Sequence, residues 1–113
     1  MLDFFRINEW QKIDLRVGQI VRVENIKGAD KLYKLRVDLG QELGERIVCA
    51  GLKENYSKDE LQGKKVIFFA NLLPRKLKGI ESQGMILAAV NDYHSKVHLI
   101  QPDTDIEVGS KIS

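Results

Sequence analysis

Short runs of alternating apolar and polar residues constrain this chain more than any other feature. Residues 33–39 alternate strictly, with Tyr, Leu, Val and Leu separated by Lys, Arg and Asp. Residues 13–23 follow the same pattern until Gly18 interrupts it, and we expect a bend or bulge of a long strand at that glycine. Further strands are predicted at residues 46–50, 64–71, 85–90 and 96–101. Several short strands separated by turn residues predict an all-β domain.

One short helix is predicted between the third and fourth strands. Ser57 and Glu60 form a capping-box pattern, which starts a helix over residues 58–62. A second helical turn is expected at residues 9–12. A helix at this place among short twisted strands is typical of the OB fold, a small five-stranded barrel. We therefore expect a five-stranded OB-fold barrel with short helices and terminal extensions, in which residues 1–113 form a single domain.

The sequence offers no constellation for catalysis or for cofactor binding. It has no Gly-rich phosphate loop, dinucleotide fingerprint or nucleophile elbow. Cys49 is the single cysteine, which excludes an internal disulfide and a multi-cysteine metal site. His94 and His98 would lie about 13 Å apart along a strand, too far to share a metal ion. We predict a binding module with no catalytic site, no metal and no cofactor.

No segment of the sequence is suited to a membrane or to secretion. No apolar run approaches the length of a membrane span, and the first ten residues contain charged side chains without a cleavage site. We expect a cytoplasmic protein with no membrane partner. The methionine at position 1 and the lack of a linker favour a free-standing gene product.

The charges are distributed unevenly along the chain. The formal net charge is +2, yet residues 61–80 contain five basic and no acidic side chains. The other 93 residues carry 13 basic and 16 acidic side chains, a net of −3. Such an asymmetry can attract a polyanion, although a solvated lysine-rich loop would have the same composition.

The candidate binding residues follow the fourth predicted strand. Arg75 can hold a phosphate through two hydrogen bonds, and the neighbouring lysines add point charges. Met85 could pack against an unstacked base or ribose, or could simply belong to the core. Asn71 and Ser82 could bind RNA or could cap local turns. Together these residues predict a basic rim where OB folds bind oligonucleotides: Asn71, Arg75, Lys76, Lys78, Ser82 and Met85.

Five spaced motifs resemble one known family. They are D-L-R-V-G at residues 14–18, A-D-K-L-Y-K-L at 29–35, A-G-L at 50–52, N-L-L-P-R-K at 71–76 and S-Q-G-M-I-L-A-A at 82–89. The chain is similar to the tRNA-binding domain of methionyl-tRNA synthetase, where it is a C-terminal part or a separate β subunit. The EMAP-II cytokine precursor and stand-alone tRNA-binding proteins share this domain. One departure lies at Ala50-Gly51-Leu52, which follows Cys49 and in which many relatives have serine before the glycine.

The resemblance implies an OB fold that binds tRNA by shape rather than by anticodon sequence. It places Asn71, Arg75, Lys76, Ser82 and Met85 at the RNA. It also allows a catalytic methionyl-tRNA synthetase subunit as a partner, with this chain as a β subunit or auxiliary that lacks an active site. The alternative is a peptide-binding chaperone of the CsaA type, a branch that typically lacks the A-D-K-L-Y and S-x-G-M segments.

Apolar residues are also concentrated at both ends of the chain. A small barrel is filled by its own strands, so these side chains need another surface. Either the ends fold back over the barrel, or they form a homodimer interface, which the resemblance favours. The predicted interface residues are Leu2, Phe4, Phe5, Trp10, Ile106 and Val108.

Overall fold

Short elements follow one another along the part of the chain that the structure, a computed structural model, describes, which is residues 2–113. Two are single helical turns and the rest are strands. In chain order they are α1 (Ile7–Trp10), β1 (Leu15–Asn25), β2 (Tyr33–Asp38), β3 (Glu45–Ala50), α2 (Lys58–Leu61), β4 (Lys65–Phe69), β5 (Arg75–Leu77), β6 (Ile80–Ser82), β7 (Met85–Ile86), β8 (Ala88–Val90) and β9 (Val97–Leu99).

The five-stranded barrel is confirmed. Antiparallel strands pair in the order β3-β2-β1-β4-β7 and curl into a nearly closed barrel. β5 pairs with β6, and β8 with β9, in two separate hairpins. The predicted strand over residues 85–90 is divided into β7, which pairs with β4, and β8, which pairs with β9. Between them the Leu87 N–H donates to the Ile67 carbonyl at 3.0 Å and continues the β4–β7 register.

The irregularity of β1 lies three residues beyond the expected place. The register shifts between Ile20 and Arg22, whereas Gly18 pairs regularly with Val66. A Cβ atom at Gly18 would lie 2.6 Å from Cγ1 of Val37. The glycine is therefore required for close packing across the barrel, and the predicted bend at this residue is wrong.

Both predicted helical turns exist, and one begins two residues earlier than expected. The Ser57 hydroxyl accepts from the Glu60 N–H at 3.2 Å, and the Glu60 carboxylate accepts from the Ser57 N–H at 2.8 Å. These bonds form the predicted capping box, and the bond from the Ser57 backbone holds the pKa of Glu60 below its usual range. At α1 one half of such a box is present, since the Glu9 carboxylate accepts from the Arg6 N–H at 2.9 Å, and the helix begins at Ile7.

The core lies inside the barrel and is closed by α2. Its fully buried side chains come from β1 to β4, from the residue after β2 and from the helix: Phe68, Ile20, Leu35, Leu39, Leu61, Val37, Val48 and Val66. Among residues 2–113 no helix is long and apolar enough to cross a bilayer.

The C-terminal segment folds back along the first half of β1. The Ile112 N–H donates to the Leu15 carbonyl at 2.9 Å, and Ile112 packs against a cluster around Leu15 and Val17. The buried guanidinium of Arg16 donates to the Gly109 carbonyl and to the carboxylates of Asp14 and Glu42. The bonds to the two carboxylates, that to Asp14 foremost, raise the pKa of Arg16. The C-terminal segment therefore folds back over the barrel, which is one of the two arrangements expected for the chain ends.

Candidate nucleic-acid interface

The basic segment after β4 is a hairpin rather than the loop that its sequence suggested. Arg75 pairs with Ser82 and Leu77 with Ile80, so β5 and β6 form a short antiparallel ladder. The turn between them contains Lys78 at φ 51° and Gly79 at φ 80°. Two successive positive φ angles are typical of a type I′ turn, which matches the twist of a tight hairpin. The hairpin therefore holds the lysine at a fixed tip.

The two faces of the hairpin have different partners. Leu77 and Ile80 share one face and pack against Ile26, Ala29 and Cys49. Lys76 and Glu81 are cross-strand neighbours on the opposite face, and both are exposed. Packing of the apolar face fixes the hairpin on the barrel, and the basic side chains then project from a supported surface.

Arg75 and Met85 stand between two adjoining clefts. The larger cleft, about 630 Å³, is lined by Leu73, Pro74 and Gly84, among others. The smaller, about 240 Å³, extends towards β8 and β9, and both clefts include Arg75 and Met85. A cationic side chain beside an apolar groove suits a phosphate next to a base or ribose.

Met85 is 45% exposed, which contradicts its alternative assignment to the core. It pairs with Phe69 at the edge of the barrel sheet, so its backbone is fixed while its thioether faces solvent. An exposed thioether on a rigid strand can pack against a flat apolar ligand without rearrangement of the barrel.

The polar atoms of Asn71 and Ser82 bind the chain's own backbone. The Asn71 amide accepts from the Asp14 N–H at 2.8 Å and donates to the Lys12 carbonyl at 2.7 Å. Ser82 is only 5% exposed, and its hydroxyl accepts from the Cys49 N–H at 3.0 Å. Both side chains fix the ends of the segment that carries Arg75. Their partners lie 33 to 59 positions away, so neither side chain caps a local turn.

Gln83 closes the barrel and was not identified from the sequence. Its N–H donates to the Ile47 carbonyl, and its side-chain oxygen accepts from the Ile47 N–H, each at 2.8 Å. Arg46 of β3 also donates to the Ala70 carbonyl at 2.9 Å. These bonds and that of Ser82 join β3 to the segment before β7, where no ladder forms. A glutamine in a turn carries no sequence signal for such a role.

Cys49 lies at the floor of both clefts and is buried. Desolvation raises the pKa of its thiol. The sulfur is therefore a small apolar surface in the cleft rather than a nucleophile. Among residues 2–113, no three His, Cys, Asp or Glu side chains come together as metal ligands.

The residues predicted for a homodimer differ in their surroundings. Leu2, Phe4 and Phe5 are 84%, 94% and 81% exposed and precede α1. Trp10 and Ile106 are 38% and 41% exposed, whereas Val108 is half-buried beside the C-terminal segment. Of the predicted interface residues, the most exposed therefore lie before the first barrel strand.

Comparisons with known proteins agree on one family. The family described as "Putative tRNA binding domain" matches residues 15–111. A methionine–tRNA ligase of Caldanaerobacter subterraneus subsp. tengcongensis is 47% identical over 112 residues, covering 99% of this chain and 17% of the ligase. This chain thus spans about a sixth of that relative's length.

Two crystal structures have the same fold over almost the whole chain. A MetRS-related protein from Pyrococcus horikoshii superposes with a TM-score of 0.90 and 38% identity, covering 99% of this chain and all of the other. A CsaA chaperone protein from Picrophilus torridus superposes with a TM-score of 0.87 and 36% identity, covering 97% of this chain and all of the other. Since the family match covers nearly all of the barrel, this chain belongs to the tRNA-binding domain family represented in methionyl-tRNA synthetases.

Proposed function

We propose that this domain binds tRNA through the β5–β6 hairpin and the clefts beside Arg75 and Met85, reading shape and phosphates rather than the anticodon. The observation that carries the proposal is the exposed arginine set between two partly apolar clefts on a supported hairpin. Phosphate contacts do not depend on base sequence, so such a site suits many tRNAs.

The candidate residues divide into contacts and positioning groups. Arg75 binds a phosphate through two hydrogen bonds, Lys76 and Lys78 add point charges, and Met85 packs on a base or ribose. The Ser82 hydroxyl is buried against the Cys49 N–H, and the Asn71 amide already bridges two backbone groups of the segment before β1. We therefore propose that these two residues position Arg75 and Met85.

The proposal includes a protein partner and a cellular location. The ligase relatives carry a similar segment within a much longer chain, so we propose that this domain delivers tRNA to a methionyl-tRNA synthetase catalytic unit. The domain itself supplies affinity and no chemistry, and it acts in the cytoplasm. Homodimerisation through the N-terminal apolar residues is part of the same proposal.

The second candidate function is peptide binding, as in a chaperone. It is favoured by one observation, the exposed Leu73 and Met85 beside the larger cleft, since apolar grooves also bind unfolded chains. The test is a direct competition between a tRNA transcript and an unfolded peptide for the purified protein, followed by fluorescence anisotropy. We expect tRNA to bind and the added peptide not to displace it. Displacement by peptide, with no difference between tRNA and unrelated RNA, would favour the chaperone.

Replacing Arg75 with alanine is expected to weaken binding of all tRNAs to a similar extent. Loss of one phosphate contact should reduce the slope of log affinity against log salt by roughly 0.7–0.9. The matched control is Lys111→Ala, which removes one positive charge from the exposed C-terminal segment. Equal slopes for both variants would show that only net charge matters.

Replacing Met85 with alanine is expected to lower tRNA affinity by about 1–3 kcal/mol, the usual value of a base-packing contact. The melting temperature should change little, because the side chain is 45% exposed. Met85→Leu keeps the apolar volume and should keep most of the affinity. A large loss of thermal stability with unchanged affinity would instead show that Met85 stabilises the fold and does not contact RNA.

A further inference from the structure

The smaller cleft beside Arg75 and Met85 continues past the barrel onto the β8–β9 hairpin. This hairpin forms a sheet of its own, outside the five-stranded order of the barrel. Ala88 of β8 and Val97 of β9 line the cleft on that side. Val90 is the cross-strand partner of Val97 and is 48% exposed, so the apolar surface extends beyond the cleft towards the hairpin tip.

The tip between β8 and β9 is held in one shape by the side chain of Asn91. Its amide nitrogen donates to the Ser95 hydroxyl at 2.9 Å, and its oxygen accepts from the Lys96 N–H at 3.1 Å. The His94 N–H donates to the Asn91 carbonyl at 3.0 Å, which closes a turn with Tyr93 at its third position. Three hydrogen bonds to one residue thus fix the backbone on both sides of Tyr93.

Tyr93 carries an exposed aromatic ring on this fixed turn. Its side chain is 89% exposed, whereas Tyr33 is buried and Tyr56 half-buried. The hydroxyl groups of those two tyrosines are hydrogen-bonded within the fold. A tyrosine ring on a fixed backbone offers a large flat contact surface, and little conformational entropy is lost when a ligand covers it.

The surroundings of the ring favour a nucleic-acid base over a protein partner. Tyr93 lies between Asp92 and His94, so its ring and Val90 form a small apolar surface with polar neighbours. A stable protein interface buries roughly 800 Å² on each partner, whereas a single base suffices to cover a single ring. In the described part of the chain Arg75 enters no ion pair, so a phosphate can bind it without displacing a carboxylate.

We propose that Tyr93 stacks on one unpaired base of the bound tRNA, whose backbone passes along the smaller cleft to Arg75. The proposal rests on the proposed function and adds a base contact to its phosphate contacts. Stacking needs a base outside the double helix, and every base has a π face. The contact therefore recognises a structural feature of the tRNA and not its sequence. RNA without unpaired nucleotides loses this contact and keeps the phosphate contacts.

The first test compares Tyr93→Leu with its matched control Tyr93→Phe in the full chain. Leucine keeps an apolar side chain without a ring, and phenylalanine keeps the ring without the hydroxyl. We expect Tyr93→Leu to lower affinity for a tRNA transcript roughly tenfold, as for the loss of one base stack, and Tyr93→Phe to keep it. Neither substitution removes a positive charge, so the salt slope that Arg75→Ala reduces should stay unchanged.

A blunt RNA duplex of similar length is the second ligand. It offers phosphates but no unpaired base, so both Tyr93 variants should bind it as the wild-type protein does. Equal losses of affinity for transcript and duplex would overturn the proposal. Full transcript affinity of Tyr93→Leu, with Arg75→Ala still weakening binding, would overturn it and leave the proposed function intact. If the wild-type protein binds neither RNA, the proposed function fails and this proposal with it.

A second measurement avoids mutation. Tetranitromethane nitrates accessible tyrosines, and Tyr93 is the exposed one of the three in the chain. Mass spectrometry should show that the tRNA transcript slows nitration of Tyr93 and that the blunt duplex does not. Protection by an unfolded peptide, without protection by tRNA, would overturn the proposal in favour of a peptide site.

Discussion

Gly84→Ala is expected to destabilise the fold by about 3 kcal/mol or more, with a fall in melting temperature of roughly 10 °C or more. Gly84 has φ +143°, a conformation that residues with a Cβ rarely adopt. A Cβ there would lie 2.4 Å from Cε1 of Phe68 and 2.6 Å from the Phe69 carbonyl oxygen. Because Phe68 is fully buried and the second obstacle is backbone, neither can move away cheaply.

The control for this experiment is Gly44→Ala. Gly44 also has a positive φ, +70°, but a Cβ there would meet no atom within 4 Å. It therefore measures the cost of a side chain at positive φ, about 1–2 kcal/mol, without a steric clash. Thermal unfolding of both variants by circular dichroism gives the comparison. Equal losses of stability would mean that the packing of Gly84 against Phe68 and Phe69 contributes nothing beyond backbone strain.

Removal of residues 1–7 is expected to halve the mass measured by light scattering and to lower tRNA affinity by a factor of roughly 100 or more. The deletion includes Leu2, Phe4 and Phe5, three apolar side chains before α1 that are each more than 80% exposed. If two barrels bind one tRNA together, the second contact forms at a high effective concentration, and a monomer loses that advantage.

A substitution separates this effect from loss of chain length. Phe4→Ser/Phe5→Ser should give the same monomer, whereas Tyr93→Ser, which alters an equally exposed aromatic residue at 89%, should leave the mass unchanged. Tyr93→Ser should melt as the intact protein does, because its exposed side chain does not reach the core. Phe4→Ser/Phe5→Ser removes no core side chain either, so a fall in its melting temperature should reflect loss of the dimer alone. A monomeric wild-type protein would overturn the dimer proposal, and an unchanged dimer after deletion would move the interface elsewhere.

The sequence predicts the barrel well because its signals are local. Alternation in β2 and the capping box at Ser57 each act within a few residues, and the structure follows both. The hairpin was missed because β5 and β6 have three residues each, too few for a periodic pattern. The single local clue was Lys78-Gly79, a pair suited to a type I′ turn.

The sequence indicates which residues are exposed at the candidate site, but not which of them bind the chain's own backbone. Arg75 and Met85 are exposed at the clefts, as a binding role requires. The bonds of Ser82 and Gln83 span 33 and 36 positions in sequence, to Cys49 and Ile47. Long-range partners of this kind depend on how the barrel closes, so no pattern near either residue could indicate them.

Closure of the barrel by side chains has a consequence for how this fold diversifies. Strands β1, β2 and β4 set the register through continuous ladders, while the segment carrying the hairpin is attached at Ser82 and Gln83 by a few hydrogen bonds. Charge and length in residues 72–81 can therefore drift through evolution without disturbing the ladders that determine the fold. One inherited scaffold could in this way acquire a basic hairpin in one lineage and a different one in another. The MetRS-related protein and the CsaA chaperone protein both superpose on almost the whole of this chain, as such a conserved scaffold requires.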